Sequence, residues 1–309
     1  MGNIFEVRDL IEETVSRYET IVRAAIRFFL ALLALSVVNS RLGYMERLDS
    51  TTIVVAVSLL CALLPAGMIV FFSSLFIILH CYALSLEAAI VVLAVFLLMF
   101  LLYFRFTPKD TMAVLLTPLS FVFGIPHVMP VIYGLKGTPL SALSVGFGVV
   151  AYYTVDFVSD SEKMIRGMSD NTTVERFRAI LDGVMKNNAM VAYVIAFAIT
   201  VVIVSIVRRL SIPHAWTIAI AAGIVTDMIA LMMLSLRIDA DINIGGLFIG
   251  SLIAALIAFV YKLFAFSVDY AKTERVQFED DGYYYYVKAV PKIKSRRRRS
   301  KRSYEPDED

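Results

Sequence analysis

The sequence predicts an all-α polytopic membrane protein of about eight transmembrane helices, some of them broken, followed by a cytoplasmic C-terminal β-hairpin. Three observations lead there. Residues 53–104 carry only His80 and Glu87 as strongly ionisable side chains, and comparable apolar runs recur to residue 266. The chain is 59% apolar and 18% charged, with a mean hydropathy of +0.75, against about 45–50% and about 25% in soluble domains. Finally, about 20 apolar residues suffice to span a bilayer as a helix, and long apolar runs in lipid must satisfy their backbone within the segment, which leaves helices.

The spans are read in order. The first covers 24–41, with Arg27 near one end, where a long side chain reaches the interface. The run 53–104 would be about 78 Å long as one helix, so it divides near Tyr82 into a second span (53–80) and a third (85–104). Pro65-Ala66-Gly67 break the second, because proline lacks a backbone donor and clashes with the preceding turn. The fourth, 111–134, is interrupted by Pro118, Gly124, Pro126 and Pro130. The fifth covers 139–158. After a polar stretch come the sixth (189–207), seventh (214–236) and eighth (245–266).

Five regions follow: an amphipathic N-terminal helix (1–23), a first membrane region (24–158), a polar segment with an amphipathic helix (159–188), a second membrane region (189–266) and a tail (267–309). The positive-inside rule places both termini in the cytoplasm, since that side then holds Arg8, Arg17, Arg23, Arg27, Lys136, Arg208, Arg209 and the basic residues from Lys262 to Arg302. Val174, Phe177, Leu181 and Val184 recur at helical spacing, and Thr172 with Glu175 forms a capping box. Two copies of an amphipathic helix plus three spans, at 3–104 and 172–266, suggest an inverted repeat, a plan recurrent in secondary transporters.

Ionisable residues inside the membrane are costly and point to function. Asp227 stands near the middle of the seventh span, beside Thr226. His127 lies between two prolines of the broken fourth span, His80 ends the second and Glu87 begins the third. These four are the substrate or ion pathway candidates. The alternative reading pairs Asp227 with a neighbour and leaves the other three at headgroup depth. Catalytic patterns are missing: there is no HExxH, GxSxG, CxxC or GxxxxGK[ST], so neither an enzyme nor any cofactor or metal is expected. Cys61 and Cys81 lie in apolar stretches and read as small hydrophobes.

In the tail, Arg275–Glu279 and Tyr283–Val290 flank Asp280-Asp281-Gly282, a β-hairpin signal. Tyr283, Tyr284, Tyr285 and Tyr286 offer a surface to a partner or to the membrane. Arg296, Arg297, Arg298 and Arg299 belong to a basic run suited to anionic headgroups. Base-reading chemistry is absent, so nucleic acid is not an expected partner.

Three strings, Tyr82–Glu87, Arg105–Asp110, and Thr273–Asp281 continued to Pro291-Lys292, resemble an uncharacterised bacterial family of polytopic membrane proteins often labelled ABC-transporter permease. The resemblance implies a bacterial plasma membrane protein. Its label implies a separate ATPase subunit, since the chain carries no phosphate loop. The function expected is permease-like transport of an unknown substrate; the competing class is a scaffold recruiting cytoplasmic partners through its tail. Lipid and a second copy of the chain complete the expected partners.

Overall fold

The computed structural model describes residues 17–167, 173–210, 212, 214–265, 274–280 and 283–289. It forms two compact units, Met1–Lys262 and Leu263–Asp309. Helices make up the first: α1 (Glu19–Arg41), α2 (Thr51–Leu63), α3 (Gly67–Leu84), α4 (Leu86–Phe106), α5 (Thr111–Val122), α6 (Val128–Lys136), α7 (Ser141–Asp160), α8 (Glu162–Gly167), α9 (Thr173–Met185), α10 (Asn188–Val207), α11 (Ala215–Ile238) and α12 (Ile244–Ala265). Among the described residues seven helical stretches are long and apolar enough to cross a membrane, comprising α1, α3, α4, α7, the Thr173–Val207 run that contains α10, α11 and α12. Leu97, Leu101 and Phe104 of α4 and Leu252 and Leu256 of α12 are each more than half exposed. Apolar side chains turned outward in such numbers belong in lipid, and the helical unit is an integral membrane bundle.

The two broken spans are not single helices: each is a pair of helices that reverses at its break, and seven candidate crossings stand where about eight were expected. Take the face where α1 begins as proximal and the face where it ends as distal. Asn39, near the end of α1, donates to Leu48 O at 2.7 Å just before α2 starts. Arg27, near the beginning of α1, donates to Leu64 O at 3.1 Å just after α2 stops. So α2 descends antiparallel to α1. Leu64 is extended (φ −94°, ψ 165°), as the residue before a proline prefers, and Pro65 ends the helix. From there α3 climbs back, and His80 meets Asn39 at 3.0 Å. At 13 residues α2 is about 20 Å long, short of the roughly 30 Å hydrocarbon core.

A single residue, Ser85, separates α3 from α4; its hydroxyl caps α4 by accepting from Ala88 N–H at 3.0 Å. This helix returns to the proximal face, where its end and Pro108 lie beside the Pro65 reversal. The next hairpin opens on that face. Helix α5 ends in a Schellman motif: Ile125 N–H reaches Ser120 O at 2.9 Å and Gly124 N–H reaches Phe121 O at 3.0 Å, with Gly124 at φ +70°. A left-handed residue followed by Pro126 stops the helix, and α6 leads back out. Arg208 donates to Gly137 O, and Ser144 to Thr107 Oγ1 at 2.6 Å, so both ends of the hairpin sit together on the proximal face.

The remaining helices cross in alternation. Helix α7 reaches the distal face, where Arg41 meets Asp156 at 3.3 Å and Ser159 donates to Arg41 O. There α9 packs on α4 through Glu87 and Arg176. Helix α10 comes back to Arg208, α11 ascends to Ile238, which accepts from Asn188 at 2.6 Å, and α12 descends until Lys262 meets Thr217 at 2.6 Å. The bundle thus has six helices that alternate between the two faces (α1, α4, α7, α10, α11, α12) and two helix hairpins: α2–α3, whose Pro65 turn lies at the level of Pro108, and α5–α6, which begins and ends on the proximal face. This departs from the expected repeat: the first proposed copy contains the α2–α3 hairpin where the second has α11, a continuous 24-residue helix. The capping pair Thr172–Glu175 and the N-terminal amphipathic pattern fall wholly or partly outside the described residues.

In the second unit, β1 (Glu274–Asp280) pairs antiparallel with β2 (Tyr283–Ala289), Phe278 opposite Tyr285. The turn residues Asp281 and Gly282 and the basic run with Arg296, Arg297, Arg298 and Arg299 lie outside the described residues.

Candidate functional site

The α5–α6 reversal carries His127 into the bundle interior. Its Nδ1 shares a hydrogen bond with Asp227 Oδ2 at 2.7 Å, and the two side chains are 3% and 2% exposed. Asp227 sits at mid-length on α11, so the contact joins the tip of a broken hairpin to the middle of an unbroken crossing. The pair needs its geometry. A carboxylate at mid-membrane costs about 2.5–3.5 kcal/mol on insertion scales, and the imidazole is the hydrogen-bond partner that offsets it.

Thr200 on α10 adds less. Its hydroxyl proton is directed to Ala196 O at 2.9 Å, and the contact to Asp227 Oδ1 is 3.5 Å, at the limit of a hydrogen bond. His127 is therefore the principal partner.

Glycines let this assembly close. A Cβ on Gly250 of α12 would stand 2.5 Å from His127 Cδ2, so a side chain there would displace the imidazole. Val204 of α10 fits between Gly134 of α6 and Gly223 of α11, whose added Cβ atoms would approach it to 2.5 and 2.3 Å. Small residues permit the close helix approach that packing in lipid depends on. On its other side His127 meets aromatic rings: Phe197 at 6.1 Å edge-on and Tyr193 at 6.2 Å. Phe121, in the last turn of α5, stacks on Tyr152 at 4.6 Å. The tip is held by rings on one side and by Asp227 on the other.

The four pathway candidates separate into two places. His127 and Asp227 come together, as a pair linking elements 100 residues apart. His80 and Glu87 lie at the distal face. His80 accepts from Met45 N–H at 3.1 Å through Nδ1 and meets Asn39 Oδ1 through Nε2. Since Asn39 uses its amide nitrogen on Leu48 O, its oxygen must accept, which makes His80 the neutral Nε2–H tautomer. Both ring nitrogens are engaged in pinning the 42–50 loop. Glu87 faces Arg176, with Nη1 at 3.4 and 3.5 Å from its two carboxylate oxygens, and this buried pair fastens α9 to α4.

Arg176 also changes the reading of α9. The inward side carries Arg176, Ile180 and Val184, while Val174, Phe177 and Leu181 face outward at 75%, 37% and 38% exposure. Three of the four residues of the expected apolar stripe turn outward, Val184 turns inward, and the packed face follows Glu87. Asn39, Thr200 and Arg176 gave no signal in the sequence, since each is defined by a partner far along the chain. Among the described residues no three His, Cys, Asp or Glu side chains gather at a point suited to a metal. Cys61 and Cys81 are buried free thiols. Tyr283, Tyr284, Tyr285 and Tyr286 all belong to β2.

No family model, no curated protein and no solved structure matches the chain.

Proposed function

We propose that the protein is a permease-like transport protein, with the α5–α6 hairpin as its moving part and the His127–Asp227 pair as the latch that registers an ion or proton. The observation that carries this reading is a buried, titratable pair at the tip of a hairpin that reverses inside the bundle. Interrupted helices at membrane depth are tolerated where they are buried in protein or line a pathway, and they recur at transporter binding sites. A proton shared between Nδ1 and Oδ2 couples naturally to motion, because protonating the carboxylate removes the charge that holds the imidazole. The substrate is a solute of unassigned class, no covalent chemistry is involved, and the pathway needs neither His80 nor Glu87.

The setting is a bacterial plasma membrane with both termini cytoplasmic, which the basic residues of the tail favour. A separate ATPase would supply energy if the family resemblance extends to mechanism. The test uses proteoliposomes of the full chain with a trapped pH dye and an imposed proton gradient, challenged with a solute library. Wild-type vesicles should show solute-dependent proton flux, and Asp227→Asn vesicles should show none at equal protein content. Full flux from the Asn variant, or no protein-dependent flux with any solute, refutes the proposal.

A second reading rests on the separate unit Leu263–Asp309: the strand pair and basic run recruit a cytoplasmic partner, and the bundle is the anchor. Pull-down from membranes with the full chain and with residues 275–309 deleted distinguishes it. A partner lost on deletion, in a protein without solute flux, supports the scaffold.

A further inference from the structure

The proximal face holds a second site. Between the end of α4, the end of α6 and the end of α10 lies a depression of about 470 Å³ into which Lys109, Lys136, Arg208 and Arg209 project, with Asp110 the one carboxylate on its wall. Four cations against one anion leave a positive field. The Nε of Arg208 is buried without a hydrogen-bond partner, although Nη2 of the same side chain donates to Gly137 O. Helices α5 and α7 both begin at the rim, and neither has a side-chain cap, so the positive ends of two helix dipoles add to the field.

This basin has an apolar neighbour. A groove of about 750 Å³ runs between α3 and α4, over Met68, Phe71, Leu97, Phe100 and Phe104, and ends at Pro108. Pro108 also lines the basic depression. Positive charge and an apolar channel therefore meet at one residue on the lipid-facing surface.

We propose that the two together bind one anionic phospholipid, its phosphate group among Lys109, Lys136, Arg208 and Arg209 and an acyl chain along the α3–α4 groove. Basic pockets between helices on the cytoplasmic side are suited to anionic headgroups, and a groove of aromatic and aliphatic side chains accepts a hydrocarbon chain where it would reject a hydrated solute. The site stands apart from the His127–Asp227 pair, and holds whether or not the protein transports.

The test is native mass spectrometry of the full chain released from detergent with added dioleoylphosphatidylglycerol, dioleoylphosphatidylcholine, glycerol 3-phosphate or inorganic phosphate. Wild type should retain one phosphatidylglycerol in preference to phosphatidylcholine, and neither water-soluble phosphate should displace it. The double variant Lys136→Gln, Arg209→Gln should bind it about thirtyfold more weakly, the effect of removing two phosphate-facing cations. Replacing Arg296, Arg297, Arg298 and Arg299 by Gln tests the tail as an alternative source of lipid binding and should leave this lipid bound. Leu97→Trp, which fills the groove and spares the basin, should lose the lipid. Melting temperatures within a few degrees of wild type confirm folded variants. Equal retention of phosphatidylcholine, displacement by inorganic phosphate, or loss only in the tail variant overturns the assignment.

Discussion

Gly250 and Gly124 illustrate two separate demands on glycine. At Gly250 the demand is space, because a methyl group would stand 2.5 Å from the His127 ring. Gly250→Ala should lower the melting temperature in detergent by an amount matching about 1–3 kcal/mol of overpacking. Removing the ring should relieve it, so the double variant Gly250→Ala, His127→Ala should be less destabilised than the two single effects combined. Strict additivity would show that the crowding is imaginary. At Gly124 the demand is conformation: φ is +70° and nothing lies within 4 Å of an added Cβ. Gly124→Ala should cost about 1–2 kcal/mol from the backbone alone, with Gly124→Asn milder because asparagine tolerates this region. Equal losses for Ala and Asn would place the cost elsewhere.

At the scale of elements, the Glu87–Arg176 contact makes α9 part of the bundle. Both side chains are about one-tenth exposed, and breaking a buried pair leaves the surviving charge uncompensated. Glu87→Gln and Arg176→Gln should each destabilise, and the double variant should recover part of the loss, with a coupling of about 0.5–3 kcal/mol. Hydrogen exchange over 173–185 reports the same contact, rising in either single variant. Unchanged protection there would mean that α9 is held by Ile180 and Val184 alone. The hairpins make their own prediction. If 53–84 and 111–136 each return to the face they left, a cysteine at Glu46 is labelled from outside and one at Lys109 is protected. Eight single crossings place both outside, so labelling at Lys109 in intact cells would restore that layout.

For the whole molecule, charge and connectivity act together. Replacing two single spans by two helix pairs that return to the face they left changes the side of Arg105 and Lys109 but leaves the start of α1 and the end of α12 on one face. Within the helical unit Arg17, Arg23, Arg27, Arg105, Lys109, Lys136, Arg208, Arg209 and Lys262 lie proximally. Arg41, Arg47, Lys163, Arg166, Arg176, Arg178, Lys186 and Arg237 lie distally. That balance gives little orientation, so the basic tail must set it. Substituting Gln at Arg296, Arg297, Arg298 and Arg299 should produce a population with the cysteine at Lys109 labelled from outside; a wholly wild-type pattern would show that earlier charges suffice. Residues up to Lys262 form a unit of their own, and deleting 275–309 should leave its melting transition in place.

What the sequence by itself determined follows from local chemistry. Runs such as 86–104 can be solvated only by lipid, and they can be satisfied only as helices. Pro65 and the Gly124–Pro126 stretch end their helices, because a missing donor and a left-handed residue act within one turn, whereas Pro118 and Pro130, also expected to interrupt the fourth span, lie inside α5 and α6. Asp227 and His127 are costly at membrane depth whatever their partners. Which way the chain goes after a break is a different matter. Pro65 permits a kink or a reversal equally, and Arg27 at Leu64 and Asn39 at His80 select the reversal. Gly124 does the same for α5, and Arg208 at Gly137 brings α6 back. The pairing of His127 with Asp227, and the separation of both from His80 and Glu87, depend on contacts between residues tens of positions apart. Periodicity carries no information at that range, because it records which face of a helix is apolar and not which helix will cover it. Only the packed bundle decided these.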